Sequence, residues 1–208
     1  MKPQEVAKSY DSIADRWHGE QFPRSNGIEQ HKRAITFTEL RGRALDIGCG
    51  SSGRILDFLL AEGFSPEGLD ISLKMIELAR RRHPDLIIHH ADICEWKFPH
   101  SYDFISAWDS IWHVPLDQQE RVLSQVLSNL TPQGICIFTT GGVDAPSEVS
   151  NSYMGPPMYH SALGITATLQ CLAKAGCACR HLEYDQFPEP HVYIVAQRVE
   201  EQSRQGDT

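Results

Sequence analysis

Four carboxylates close short apolar runs in this chain: Asp46, Asp70, Asp92 and Asp109. The first ends Ala44-Leu45-Asp46-Ile47 and leads straight into Gly48-Cys49-Gly50-Ser51-Ser52-Gly53. Glycines at 48 and 50 reach backbone angles closed to other residues and let a ligand touch the main chain. A strand running through such a loop into a helix suits a nucleotide-like ligand. The spacing G-x-G-x-x-G is shared with dinucleotide-binding chains, whose loop faces a pyrophosphate. Asp46 argues against an anion here. A carboxylate aimed into the cleft suits an ammonium or a sulfonium.

Leu45 to Gly53 resembles the first motif of class I S-adenosylmethionine-dependent methyltransferases, E/D-x-G-x-G-x-G, with Ser52 in place of the third glycine. Gly68-Leu69-Asp70-Ile71-Ser72 resembles the second motif in type and in distance from the first, and His90-Ala91-Asp92-Ile93 the third. The resemblance spans roughly 10–198 and implies S-adenosyl-L-methionine as cofactor. It implies that the amides of Gly48, Cys49 and Gly50 pass along the methionine part and ribose, while Asp46 shapes that loop and orients water or the ammonium. Asp70 would accept from both ribose hydroxyls. Ile71 would lie on the adenine, Asp92 would accept from its amino group, and the Ile93 amide would reach a ring nitrogen. Ala107 and Trp108 would offer carbonyls to the methionine ammonium. Asp109 is either a further ligand contact or a turn cap.

Methyl transfer needs acceptor, methyl and sulfur in line, and water kept out. A base helps where the acceptor is a hydroxyl or a protonated amine. The candidate is His113, in Trp108-Asp109-Ser110-Ile111-Trp112-His113; the alternative is a histidine satisfied by backbone while Trp112 packs. Tyr10 to Trp17 resembles the Y-D-x-I-A-x-x-Y opening of many small-molecule methyltransferases, with Trp17 replacing the second tyrosine. That places Tyr10 near the sulfonium, where an aromatic face favours a cation, or else leaves both rings sealing a helix onto the domain. Tyr153 to His160 is expected to be an irregular, apolar lid, with Tyr159, His160 and His191 joining Trp17 and Trp112 around the acceptor. No metal is expected, since no histidine pair shows helical ligand spacing and Thr139 to Gly142 lacks the second acid of the magnesium-dependent catechol type.

Periodicity supplies the elements that hold these residues. Val6, Tyr10, Ile13, Ala14 and Trp17 predict an amphipathic opening helix, followed by a second from about Ile28 to Thr38. Strands are expected at Ala44 to Ile47, Pro66 to Ile71, Leu86 to His90, Tyr102 to Ala107 and Ile135 to Thr140. Helices fall between them: Arg54 to Glu62, Leu73 to Arg82 capped by Ser72, and one with Val122 to Leu130 on its face, closed by Pro132-Gln133-Gly134. That alternation predicts a parallel sheet. A helix stopped by Gly176 then precedes Cys177 to Tyr184 and His191 to Gln197, linked too briefly for anything but an antiparallel hairpin. The expected fold is α/β, doubly wound and Rossmann-like, with a seven-stranded, mostly parallel sheet ending in that hairpin. One domain is expected over 1–208, with a helical cap (1–40), a core (41–198) and a frayed tail (199–208).

At 208 residues the chain can bury a core without staples. The net charge of −8 offers no footprint for nucleic acid, and N/D-P-P-Y is missing after the fourth strand. No apolar run reaches bilayer length, and the polar opening does not read as a signal peptide. Six cysteines without a C-x-x-C imply reduced thiols and a cytoplasmic setting. The resemblance implies a small-molecule acceptor, and a monomer or homodimer is expected. Two alternatives stay open: a cofactor-binding subunit without catalysis, and a nicotinamide-dependent oxidoreductase, which leaves Asp46 and the terminal hairpin without a role.

Overall fold

The computed structural model describes residues 1–18 and 23–199, so the expected tail, Val199 apart, lies outside the described residues. Strands β1 (Arg43–Ile47), β2 (Ser65–Asp70) and β4 (Tyr102–Ala107) are buried along nearly their whole length. Their burial on successive residues reflects cover on both faces. With β3 (Ile88–His90), β5 (Leu130–Gly141), β8 (Cys177–Glu183) and β9 (His191–Arg198) they form one sheet in the order β3-β2-β1-β4-β5-β9-β8. Pairing is parallel from β3 to β5, and β9 runs antiparallel to both β5 and β8.

Helices α1 (Pro3–His18), α2 (Ile28–Ile35), α3 (Arg54–Ala61), α4 (Leu73–Arg82), α5 (Leu116–Ser128) and α6 (Ile165–Lys174) surround the sheet. Successive strand residues point to opposite faces, so each central strand feeds two cores. Ile105 and Ala107 of β4 meet Val122, Val126 and Leu172 on one side. Phe104 meets Ala34, Ile55 and Phe58 on the other. The Ser72 hydroxyl accepts from the Met75 amide at 3.2 Å and starts α4, as its side chain predicts.

The chain lays β2 and β3 on one flank of β1 and β4 and β5 on the other, opening a crevice past the carboxyl ends of β1 and β4. There the two loops touch: a Cβ added to Gly48 would stand 2.3 Å from Ser110 Cβ. Gly48 also has φ +73, so both space and backbone angle require glycine.

Two expectations need correction. Pro132-Gln133-Gly134 does not end a helix; α5 stops at Ser128 and β5 already begins at Leu130. Those residues form an irregularity, because Tyr102 pairs with Leu130 while Phe104 pairs with Ile135. Proline donates no ladder bond and Gln133 takes φ 64, which bends the strand there. The segment Tyr153 to His160 is not wholly irregular either. β6 (Ser147–Asn151) and β7 (Met158–Ala162) pair antiparallel, leaving only the stretch between them as a turn. The apolar Met158, Tyr159 and Ala162 are buried and form the strand that the prolines just before them could only precede.

Candidate active site

A cavity of about 230 Å³ lies beyond the carboxyl ends of β1, β2 and β4, roofed by Pro3, Val6, Tyr10 and Trp17 of α1. The roof is pinned at several points. Asp11 Oδ1 accepts from the Ser72 hydroxyl at 2.5 Å and from the Lys74 amide at 3.1 Å, at the positive end of α4. The Ser9 hydroxyl donates to the Pro157 carbonyl at 2.7 Å, and the Arg16 guanidinium to the Met154 carbonyl at 2.8 Å. Those contacts join α1 to the β6–β7 turn, the two elements expected to form a lid.

At one end of the cavity, Asp70 holds the glycine loop. Its Oδ2 accepts from the Gly50 amide at 2.9 Å and its Oδ1 from the Ser72 amide at 2.8 Å. The Ile71 amide bonds this carboxylate as well, and since a carboxylate has about four acceptor sites, capacity remains for a ligand. Burial raises the Asp70 pKa, with the backbone bonds opposing it. Ile71, Asp92 and Ile93 continue this end of the wall. Asp92 Oδ1 accepts from the Cys94 amide at 2.9 Å, which aims the carboxylate. A Cβ added to Gly50 would have only the Gly48 carbonyl, 4.0 Å away, for a neighbour, so the cradle beside it is open.

The glycine loop differs from expectation in its donors. The Gly48 and Cys49 amides both bond the Leu69 carbonyl, at 2.7 and 3.1 Å, and the Gly50 amide is taken by Asp70. Tying the loop to the end of β2 uses those three N–H groups. A loop whose first three amides are spent in this way offers them to no phosphate.

Asp46 is placed below the loop rather than in the cavity. It is 3 % exposed, faces Ser106 across the β1–β4 register and hydrogen-bonds it. Burial pushes its pKa up to about 7. Ser106 Oγ in turn lies 3.0 Å from Nε2 of the buried His31, whose Nδ1–H donates to the Gly27 carbonyl at 2.7 Å. The Ala107 side chain also lies in the core, and Trp108 is the β4-end residue that lines the cavity.

The opposite wall carries His113, with Tyr10, Trp17, Trp112 and His160 around it. Its Nδ1 is 2.6 Å from the Tyr159 carbonyl, which can only accept, so that nitrogen carries the proton. Nε2 therefore accepts, from the Tyr10 hydroxyl at 2.8 Å and the Trp112 indole at 3.1 Å. Burial lowers the His113 pKa to about 4. The imidazole is thus neutral and saturated, and Tyr10, its proton given to that bond, lines the cavity. The His160 ring centroid lies 4.8 Å from that of His113, the two rings tilted by 48°, and its buried Nδ1 has no hydrogen-bond partner among the described residues.

Two expected acceptor contacts stand elsewhere. The Tyr159 hydroxyl points away from the cavity, donating to Glu148 at 2.6 Å and accepting from the Leu116 amide at 3.0 Å. Alternation in β7 sends its ring to the far side and leaves only its carbonyl to serve His113. His191 lies beneath the cavity, bonded to Asp109 and Asp185.

A family model described as a methyltransferase domain matches residues 21–182, more than half of the chain. The chain belongs to that family. Among curated relatives, this methyltransferase domain is 25% identical over 143 residues to dTDP-3-amino-3,6-dideoxy-alpha-D-glucopyranose N,N-dimethyltransferase of Streptomyces fradiae, covering 64% of this chain and 52% of that protein. It is 28% identical over 141 residues to phosphoethanolamine N-methyltransferase of Plasmodium falciparum, covering 65% of this chain and 52% of that protein. The chain thus spans about half the length of these relatives. The fold is shared with magnesium protoporphyrin IX methyltransferase of Synechocystis PCC 6803, solved with bound SAM: TM-score 0.70, 17% identity, 94% of this chain and 96% of that one covered.

Sequence reasoning left several wall residues of this methyltransferase domain unnamed. Ser110 and Met154 line the cavity, and Arg54 is the one Arg or Lys among its described lining residues. Ser110 had a signal, since it follows Asp109 directly, and Met154 lies in the stretch expected to form a lid; Arg54 carries no local mark of a site.

Proposed function

We propose that this methyltransferase domain binds S-adenosyl-L-methionine and transfers its methyl group in line to a small-molecule acceptor. The observation that carries the reading is the convergence of Asp70, Asp92 and a glycine loop whose first three amides are spent within the fold on one cavity at the sheet's switch point. A nucleoside bearing a cationic arm matches that wall: Asp70 has acceptor capacity left for a diol, Ile71 and Ile93 are apolar, and Asp92 accepts from an amino group. The loop, with its first three amides already bonded, offers those donors to no pyrophosphate. The names of the relatives, which act on small molecules, support the same substrate class.

When bound, the cofactor supplies a methyl group already activated by its sulfonium. The chain's own residues then have to orient and exclude. α1 and the β6–β7 turn close the cavity against water. Tyr10, held by His113, presents a lone pair to an acceptor N–H or O–H, while Trp17, Trp112 and His160 supply an apolar, aromatic wall. His113 is a positioning residue in this reading, because its basic nitrogen is already engaged. Metal has no assigned part.

Five buried thiols and one exposed one, none in a disulfide, support residence in a reducing compartment such as the cytoplasm. No described helix is long and apolar enough to cross a membrane. As a monomer or homodimer, the domain would meet its acceptor by diffusion. Calorimetry with S-adenosylhomocysteine and with NAD tests the cofactor, with micromolar affinity, about −8 kcal/mol, expected for the first alone. Binding of NAD instead would overturn the reading. A screen of amines and alcohols with a labelled methyl donor tests the transfer, and silence across it would favour a binding subunit without catalysis.

A further inference from the structure

One face of β7 is tied down by polar side chains, and the other turns to the cavity. On the first, the Tyr159 hydroxyl donates to Glu148 at 2.6 Å and accepts from the Leu116 amide at 3.0 Å. The Ser161 hydroxyl donates to the Val114 carbonyl at 2.6 Å and accepts from Gln119 Nε2 at 2.9 Å. Strand alternation turns the residue between them to the opposite face, so His160 lines the cavity. Its Nδ1 is buried without a partner among the described residues, and burial lowers its pKa below the ordinary histidine range. The imidazole is therefore neutral at pH 7, with a proton on one ring nitrogen and a lone pair on the other. The neighbouring Tyr159 carbonyl fixes the His113 tautomer, so the same strand saturates one histidine and leaves the next with a lone pair to offer.

The groups around His160 leave the basic role to it. The His113 ring, 4.8 Å away, carries its proton on Nδ1 and receives two donors on Nε2. Tyr10 spends its proton on that Nε2, and burial raises its pKa, so it stays a neutral phenol that orients a hydrogen without taking it. The Trp112 indole, edge-on to His160 at 5.6 Å, is a donor only. Asp109, also in the lining, is engaged by Asn26 and His191. Arg16 of α1 donates to the Met154 carbonyl, and Glu148 of β6 takes the Tyr159 hydroxyl on the far face of β7. An acceptor atom seated against this wall finds its one uncommitted base in His160.

Resting on the transfer reading above, we propose that His160 is the base of the reaction: it receives the N–H or O–H of the acceptor and takes that proton, while His113 only positions Tyr10. The acceptor's own lone pair forms the bond to the methyl carbon, the C–S pair stays with sulfur, and the proton passes to the ring nitrogen of His160, leaving an imidazolium. Acceptors are then amines, alcohols or phenols with a hydrogen on the reacting atom. Tertiary amines and thioethers lack the group that His160 reads.

The binding test loads the protein with S-adenosylhomocysteine and titrates three probes of similar shape, phenol, aniline and toluene, by NMR near neutral pH. Toluene leaves the His160 nitrogen unpaired, so phenol and aniline are expected to bind about fivefold tighter or more. In His160→Phe, which keeps a ring, that preference is expected to shrink to within about twofold. No preference in the wild type, a larger one surviving in His160→Phe, or no binding of any probe overturns the proposal. Should the variant not fold, wild-type protein with isotope-labelled histidine decides: phenol, and not toluene, is expected to move the signal of an unprotonated ring nitrogen, and unmoved signals overturn the proposal. Kinetics with an amine or alcohol from the transfer screen then test the base. Neutral His160 is the active form, so kcat/KM is expected to hold above pH 6.5 and to fall below it, in the wild type and in His113→Asn alike. In His160→Gln that inflection is expected to vanish and kcat to drop about a hundredfold or more. An inflection that persists in His160→Gln overturns the proposal. Silence across the screen overturns the transfer reading instead, and a wild type that binds phenol but no S-adenosylhomocysteine overturns the donor reading.

Discussion

The Tyr10 hydroxyl lies 2.8 Å from His113 Nε2, joining the roof helix to the opposite wall of the cavity. The bond has one polarity, because His113 Nδ1–H is committed to the Tyr159 carbonyl. Tyr10 donates and His113 accepts. A group saturated in this way orients its neighbour instead of removing a proton from the acceptor.

Replacing Tyr10 with Phe removes the lone pair offered to the acceptor and one tie across the cavity. Turnover is expected to fall by about tenfold to a hundredfold, with S-adenosylhomocysteine affinity kept within about threefold. Steady-state kinetics beside calorimetry separate the two. An equal loss in both would mean that Tyr10 serves the donor.

The pH profile follows from the His113 pKa of about 4. A free histidine base would switch off as pH falls through its ordinary range near 6.5. Here kcat/KM is expected to show no inflection from His113 between pH 8 and 5. A titration near 6.5 that vanishes in His113→Asn would contradict the saturated imidazole.

Asp70 binds the loop and, in the proposed function, the ribose. Asp70→Asn keeps one carbonyl oxygen but loses the charge and half the acceptor capacity. Affinity for S-adenosylhomocysteine is expected to drop by roughly tenfold to a hundredfold, measured by calorimetry. Unchanged affinity would remove Asp70 from the site.

Stability should respond to pH through Asp46 and His31, which meet at Ser106 with opposite signs. Burial lowers the His31 pKa to about 4, so its contribution is complete above 6.5 and is lost as pH falls toward 4. The Asp46 pKa is pushed up to about 7 from 3.8, so the ionised carboxylate destabilises the fold above 7 and that cost fades on acidification. Asp46→Asn removes the second effect. The variant is expected to match or exceed the wild type at pH 8 and to lose stability more steeply between pH 7 and 4. Urea melts across that range measure it, and parallel curves would refute the raised pKa.

The roof depends on Asp11, whose side chain satisfies the start of α4. Asp11→Ala is expected to cost about 1 kcal/mol, as loss of a helix cap does, and to speed amide exchange across Pro3–His18. Exchange confined to other segments would show that α1 is held elsewhere.

Much of this was legible without coordinates. The alternation of strand and helix patterns predicted a mostly parallel sheet, and Ser72 marked the start of α4 by its chemistry alone. Asp70, Asp92 and Gly50 stood out in the sequence because each closes a strand or opens a turn, a local property, and all three line the cavity. The sequence could not show which way a side chain faces once a strand is paired. Tyr159 was drawn to the cavity by its neighbours in sequence, yet the β6–β7 register turns its ring away and leaves its carbonyl to orient His113. Asp46 follows the same rule: burial under the loop, set by contact with Ser106 of another strand, takes it out of the cleft. His191 and Asp185 reach Asp109 only because β9 inserts beside β5. Local chemistry determined the types of element and the acids at the strand ends; long-range pairing decided which polar groups share a hydrogen bond, and with it the protonation of each histidine.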